Sequence, residues 1–341
     1  MKSDEYEAIM KNRPHVVLLG AGASVAAIPN GDKYNKRTSV MEGFIEKLNM
    51  TETIKRANLQ TKSKNLEDIY SELKSRPECE PIAIELEKRI YDYFFNFVIP
   101  DEPTVYDFLI LSLTKKDLIA TFNWDPLLLQ AYTRVRQITD NLPKLAFLHG
   151  NVYVGLCLEH NRAGLIQDRC PVCRKAFKPS KLLYPIKEKD YSNDIFIRDN
   201  WNLTRYYLER AYMFTIFGYS APKTDVSAIA LLKEAWGEVE NRSLEEIEII
   251  DIKSDEELRD TWKDFIHTHH YSCHKSFFDS SLGKFPRRTC EATFDRLMNV
   301  RFLDDSKGFK PDMDFKQIGD YLNFLLEEEK EGKKVLNNPY L

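Results

Sequence analysis

Glycine and proline are scarce in this chain, at 13 and 15 of 341 residues. That scarcity excludes a collagen-like or low-complexity architecture and argues against long disordered stretches. No apolar run approaches the roughly 18 residues that a membrane-spanning helix needs, so no membrane partner is expected. Neither charge sign is in excess: 49 Lys and Arg face 53 Asp and Glu, a net charge of −4. This balance gives no sequence-wide pull toward nucleic acid or an anionic surface, and no direct nucleic-acid partner is expected. The six cysteines are too few and too clustered for a disulfide scaffold in a chain of this length. The opening residues, Met1-Lys-Ser-Asp-Glu-Tyr-Glu, lack the apolar core of a secretion signal, so the expected location is cytoplasmic. There is no GxxxxGK(S/T) phosphate loop and no internal repeat.

Apolar residues make up 43% of the chain, with 20 Phe and 17 Tyr, enough for a sizeable core. Five short runs have the length and β-branched or aromatic content of buried parallel strands: 15–19, 118–122, 144–148, 213–217 and 247–251. The later intervals are long enough for crossover helices. The first interval is far longer than one crossover needs and reads as helical. Asn65 caps an amphipathic stretch to Lys74, 82–98 forms a longer one, and Thr104 opens a shorter one to Leu113. After the last strand, Ser254 opens a helix through Trp262 and Phe265, and 288–299 and 314–330 are helical, before a charged and then loose tail. The expected fold class is α/β: a Rossmann-like, doubly wound parallel sheet with a helical insertion at 40–114, a small zinc module at 151–179 and C-terminal helices. The expected division is 1–255 as the ligand-binding domain and 256–341 as a C-terminal helical region offering an oligomer or partner surface.

The ends of the five strands carry the chemistry. They are Gly20-Ala21-Gly22-Ala23-Ser24, Asn123-Trp124-Asp125, His149-Gly150, Gly218-Tyr219-Ser220 and Asp251. Ligands of open parallel sheets bind beyond the carboxyl ends of the strands, and a purely structural domain has no reason to end five strands in polar or glycine-rich turns. Gly20 and Gly22 permit a tight turn and close backbone approach to a pyrophosphate at a helix N-terminus, although the third glycine of the dinucleotide fingerprint is missing. A lone GxG is equally a plain strand-to-helix turn; the other endings tip the reading to a nucleotide. Asn123 can hold a water or a ribose hydroxyl, Asp125 can accept from a carboxamide, and His149 can take a proton near neutral pH.

Cys157 and His160 form one knuckle, Cys170 and Cys173 a second, nine residues apart, which suits a tetrahedral structural zinc with no open position. A second group, His267, His269, His270, Cys273 and His274, lacks such knuckles and reads as an exposed or packed helix end. The basic stretch 174–189 reads as a solvated face.

With these residues in view, the chain resembles the sirtuin family. That family's pattern is a GAGxS loop, a TQNID segment, an HG histidine, a four-ligand zinc module and a GTS turn. This chain has GAGAS at 20–24, TFNWD at 121–125, HG at 149–150, the Cys/His knuckles at 157–173 and GYS at 218–220, in the same order. The likeness covers residues 14–252 with large gaps. It implies NAD as the ligand: Gly20, Ala21, Gly22, Ala23 and Ser24 at its phosphates, Asn123 and Asp125 at nicotinamide and ribose, and His149 as general base. Gly218, Tyr219 and Ser220 would lie on the phosphate or ribose side, and Asp251 at the adenosine ribose. Structural zinc would sit on Cys157, His160, Cys170 and Cys173.

The departures point one way. Phe122 and Trp124 replace Gln and Ile, His160 replaces a zinc cysteine, and Asn30-Gly-Asp-Lys stands after Ile28-Pro29 in place of Phe-Arg. Leu182-Leu-Tyr-Pro-Ile-Lys-Glu replaces the Phe-Gly-Glu stretch that pairs with an acetylated peptide. These losses resemble the sirtuin-like effectors of bacterial anti-phage systems, which cleave NAD⁺ to nicotinamide and ADP-ribose. The resemblance therefore implies an NAD⁺ glycohydrolase, working as a homo-oligomer or beside a separate HerA-like ATPase or sensor protein. A protein deacylase and an NAD- or ADP-ribose-binding sensor without turnover stay open as alternatives.

Overall fold

The computed structural model describes residues 10, 12–38, 43–185, 191–221, 225–330 and 340. Its strands are β1 (His15–Leu19), β2 (Leu118–Thr121), β3 (Lys144–Phe147), β4 (Val154–Cys157), β5 (Arg162–Leu165), β6 (Lys178–Pro179), β7 (Met213–Phe217), β8 (Glu246–Ile250) and β9 (Tyr271–His274). Six of them form one parallel sheet in the order β3-β2-β1-β7-β8-β9, and three form a small antiparallel sheet, β5-β4-β6. Counted along the chain, the strands of the large sheet run 3-2-1-4-5-6. This is the doubly wound order, with its switch point between β1 and β7.

The strands read from sequence are all present, shifted by at most a residue at their ends. They were legible because a parallel strand is buried on both faces. Val16 and Leu18 enter one apolar layer while Val17 and Leu19 enter the other.

The helices that matter here are α1 (Ala21–Ala27), α2 (Leu66–Ser75), α3 (Glu80–Phe95), α4 (Val105–Leu111), α5 (Leu127–Val135), α6 (Ile195–Leu208), α7 (Val226–Trp236), α8 (Asp255–Trp262), α9 (Thr289–Met298) and α10 (Phe315–Lys330). Helices α6, α7 and α8 cover one face of the sheet through Ile197, Trp201, Leu232, Trp236, Leu258 and Trp262. The insertion covers the other, with Leu73 of α2, Leu86 and Ile90 of α3 and all of α4 beyond Val105 buried. The caps follow the sequence: the Asn65 side chain accepts from Glu67 N, and Thr104 with Asp107 and Ser254 with Glu257 form capping boxes.

Two expectations change. The helix opened by Ser254 ends at Trp262, and residues 271–274 form β9, the sixth strand of the sheet. The histidine and cysteine cluster therefore lies on a turn and an edge strand, not at a helix end. His274 faces the buried Glu248 of β8 at 3.5 Å, and that polar partner hides the strand from an apolar pattern. In the tail, Tyr340 is fully buried, its hydroxyl donating to Pro286 O at 3.0 Å; residues 331–339 lie outside those described. Helix α10 sets Ile318, Leu322 and Leu325 into the same apolar layer as the insertion. The buried Arg287 guanidinium ties it there by donating to Glu329 and to the carbonyls of Asn141 and Leu113.

Candidate functional site at the carboxyl edge of the sheet

The residue after each strand donates its N–H to the end of a neighbouring strand. Gly20 N reaches Phe217 O (3.0 Å), Phe122 N reaches Leu19 O (3.0 Å), Leu148 N reaches Thr121 O (2.9 Å), Gly218 N reaches Ile250 O (2.9 Å) and Asp251 N reaches His274 O (3.0 Å). All five polar endings therefore lie in register along one edge. Thr121 pairs with Phe147, so Asn123 and His149 both stand two residues past paired positions on adjacent strands.

At the switch point the glycines meet one another. Gly22 N donates to Gly218 O at 2.9 Å. A Cβ on Gly20 would lie 2.6 Å from Gly218 O, and one on Gly22 would lie 2.8 Å from Gly218 Cα. Gly218 itself has φ +61° and would place a Cβ 2.3 Å from Ala23 N. The GAG loop thus packs backbone to backbone on the turn after β7. Ala21 and Gly22 remain exposed, Ala23 is buried, and Ser220 is exposed.

Behind that loop lies a polar network. Ser24 Oγ donates to Asp125 Oδ2 at 2.7 Å. Asn123 Nδ2 donates to Gly20 O at 2.8 Å and to Ser24 Oγ at 2.9 Å. Asp125 Oδ1 accepts Leu127 N, the first N–H of α5, at 3.1 Å, and burial raises the Asp125 carboxyl above its usual range. Asn151 Nδ2 donates to Asp125 O at 2.7 Å and holds the turn from below. Two members were not singled out in the sequence: Asn151, and Tyr106 from the insertion, whose hydroxyl lies 2.8 Å from Ser24 Oγ and 3.2 Å from Asn123 Nδ2.

His149 is 5% exposed and sits in an aromatic enclosure. The Phe122 ring lies 4.6 Å from it on one side, and Tyr191 stacks on it with its hydroxyl 3.3 Å from Nε2. Phe122 also packs on Tyr219 at 4.5 Å, and the Tyr219 hydroxyl donates to Asp225 Oδ2 at 2.9 Å. Gly150, at φ +80°, is pressed on Lys181 O, and Leu183 N donates to His149 O at 2.9 Å. Asp251 stands apart from this cluster at the end of β8, its Oδ1 accepting Lys253 N at 3.0 Å. From β3 to β8 is four strand spacings, about 19 Å along the edge.

The metal-ligand residues converge as read. The donor atoms of Cys157, His160, Cys170 and Cys173 all lie within 4.8 Å of one another. Cys157 Sγ is 3.7 Å from Cys173 Sγ and 3.5 Å from His160 Nδ1, and Cys170 Sγ is 3.8 Å from His160 Nδ1. Ideal zinc bond lengths put tetrahedral edges at about 3.8 Å for S–S and about 3.6 Å for S–N. The donor set therefore fits a zinc ion, with four protein ligands and no open position. Backbone N–H groups of Cys173 and Val172 help lower the Cys170 thiol to about 6, as a ligand requires. The module's own core is little more than Phe177 with Ile166 and the cysteines, so a metal would supply the missing order.

No protein-family model matches the chain, and no curated protein matches it. Solved structures that it is similar to include a Sir2 homologue in complex with NAD, at 16% identity over 87% of this chain and 95% of that one, with a TM-score of 0.40. A Sir2 homologue variant in complex with ADP-ribose matches at 14% identity over 89% and 100%, with a TM-score of 0.43. Sir2 bound to an acetylated peptide matches at 15% over 88% and 99%, with a TM-score of 0.34. No helix among the described residues is long and apolar enough to cross a membrane.

Proposed function

We propose that the chain is an NAD⁺ glycohydrolase, cleaving the nicotinamide–ribose bond to give nicotinamide and ADP-ribose. The observation that carries this reading is the placing of Asn123 and His149 side by side at the ends of β2 and β3, beside a glycine crossing at the switch point. The polar edge continues to Asp251 across about 19 Å, which suits a ligand with two distant ends. The bond between C1′ of the ribose and N1 of nicotinamide breaks with its electron pair going to the ring. Nicotinamide leaves neutral and needs no acid. A water oxygen then attacks the oxocarbenium-like C1′ and sheds a proton. Asn123 would place the water or a ribose hydroxyl, His149 would take the proton, and Asp125 would orient the carboxamide.

Water is favoured as the acceptor over an acylated peptide because residues 181–184 are already engaged. Leu183 N is spent on His149 O, Lys181 O packs on Gly150, and the Tyr184 hydroxyl donates to Glu87 O at 3.1 Å in the insertion. One side of that segment is thereby taken, and its continuation at 186–188 lies outside the described residues.

An enzyme that drains NAD⁺ needs restraint. From the resemblance in sequence we infer an NAD-depleting effector in anti-phage defence, held as an oligomer or by a separate ATPase or sensor. The zinc would be structural only.

The test is nicotinamide release from NAD⁺ by the pure protein, compared with Asn123→Ala and His149→Ala. Each substitution should abolish release; turnover that survives both would overturn the assignment of the site.

A further inference from the structure

Among the described residues, the hydroxyl of Tyr106 is the polar group that the helical insertion brings to the network. It reaches in from α4, where burial of the whole residue and of its neighbours Asp107 to Leu111 leaves it no other role in solvent. The chain fixes it from behind: the Thr104–Asp107 capping box starts the helix, and Arg134 of α5 donates to Asp107 Oδ1 at 2.6 Å.

The hydrogens in this cluster can be assigned by counting. Ser24 has one hydroxyl hydrogen, and the carboxylate of Asp125 takes it, since a carboxylate only accepts. The contact between Tyr106 and Ser24 at 2.8 Å must then have Tyr106 as donor. Burial pushes the Tyr106 phenol well above its usual range, so it keeps the hydrogen it donates. Asn123 turns Nδ2, not Oδ1, toward Gly20 O, because a carbonyl can only accept. Its second amide hydrogen is shared between Ser24 Oγ at 2.9 Å and the Tyr106 oxygen at 3.2 Å. Both amide hydrogens are thereby used inside the protein. Asn123 Oδ1 is left with no hydrogen bond among the described residues and is not one of the enclosed, unpaired atoms.

We infer that Tyr106 is a positioning residue of this site, holding the Asn123 carboxamide in the one orientation that presents Oδ1 as the acceptor for the attacking water. The water role rests on the NAD⁺-hydrolysis reading; the pinning of the amide does not. Without the phenol, Ser24 Oγ loses one of its two donors and the second amide hydrogen loses half of its shared acceptor, so the carboxamide gains freedom to turn.

Tyr106→Phe in the full chain tests this in two independent ways. In protein labelled with ¹⁵N-asparagine, with the Asn123 side-chain signal assigned by its loss in Asn123→Ala, the substitution should speed solvent exchange of the amide hydrogens about tenfold, the size of one neutral hydrogen bond. Unchanged exchange overturns the proposal whether or not the protein turns over NAD⁺. The second readout is kinetic. The kcat for nicotinamide release should fall about tenfold with KM for NAD⁺ within about twofold, as for an interaction made at the transition state. A merely structural role would raise KM for NAD⁺ together with any fall in kcat, and a KM that rises as far as kcat falls overturns the positioning role. Absence of nicotinamide release from the unsubstituted protein removes the hydrolase reading and the water role with it, while the pinned amide stands or falls on the exchange data.

Discussion

Gly22 N donates to Gly218 O at 2.9 Å, so the first loop and the turn after β7 are held backbone to backbone at the switch point of the sheet. Glycine is required on both sides of this contact for different reasons. Gly22 needs the absence of a Cβ, while Gly218 needs that and a left-handed φ of +61°. Gly218→Ala should therefore cost more than the ~1–2 kcal/mol of a left-handed alanine alone, because its methyl would also strike Ala23 N. The expected outcome in urea unfolding is a loss above about 2 kcal/mol together with loss of nicotinamide release. A variant of unchanged midpoint would show that the two loops are not in contact in solution.

The knuckle geometry predicts about one zinc per chain. Chelation or Cys173→Ser should release it and open the small sheet, whose core is separate from both layers of the large one. Trypsin should then cut at Arg162, Arg169 and Lys175, which are exposed. Far-ultraviolet circular dichroism should change little, because the large sheet does not depend on the module. Protein purified without metal, yet resistant to trypsin there, would defeat the zinc assignment.

The strand ends were legible because parallel strands buried on both faces stand out as short apolar runs, and whatever follows them is at the ligand edge. The zinc knuckles were legible from spacing alone. Tyr106 was not, because an aromatic residue in an all-buried helix, with Phe108 and Leu109 beside it, reads as core; only its hydroxyl's neighbours reveal the site. β9 was hidden for the opposite reason. Tyr271-Ser-Cys-His is polar, and its place beside β8 is supported by Glu248, which also accepts Ser281 N (2.9 Å) and Ser281 Oγ (2.7 Å). Nor could sequence show that Phe122, standing where the resembled family has glutamine, would wall His149 against Tyr219.

Glu246, at the other end of β8, gives a pH dependence of definite sign. Burial raises its carboxyl to about 7, so the folded state holds a proton that the unfolded chain releases near its ordinary value of 4.5. The folded state binds more protons between these values, and stability from this group is full below about 4.5 and lost as pH rises through about 7. Glu246→Gln removes the ionisation. Relative to the unsubstituted protein it should gain roughly 3 kcal/mol between pH 4.5 and pH 8. His15 contributes the opposite slope: burial lowers it to about 4 from 6.5, so its stabilising effect is lost as pH falls through that window. The difference between variant and parent isolates Glu246, because His15 is common to both. A flat difference curve from equilibrium unfolding would mean that Glu246 is ionised and solvated in the folded protein.

Asp32 sets the shape of the loop that stands where the resembled family carries Phe-Arg. It is 4% exposed; Oδ1 accepts Tyr34 N and Lys36 N at 2.8 Å each, and Oδ2 accepts Val98 N at 3.1 Å. Lys33 N returns a bond to Val98 O at 2.8 Å, so the loop is fastened to the end of the insertion after α3. Asp32→Ala would leave three backbone donors without their acceptor, a cost of about 1–3 kcal/mol for the group. Asp32→Asn should cost less, because its remaining oxygen can keep the Tyr34 and Lys36 bonds while its amide cannot accept Val98 N. Hydrogen exchange should therefore rise at 34, 36 and 98 in the alanine variant and chiefly at 98 in the asparagine variant, with new tryptic cuts at Lys33 and Arg37 only in the former. Equal exchange at all three positions in the two variants would show that the carboxylate does not divide its oxygens between the loop and the insertion, and that the loop's shape comes from the left-handed Gly31 turn at φ +103° instead.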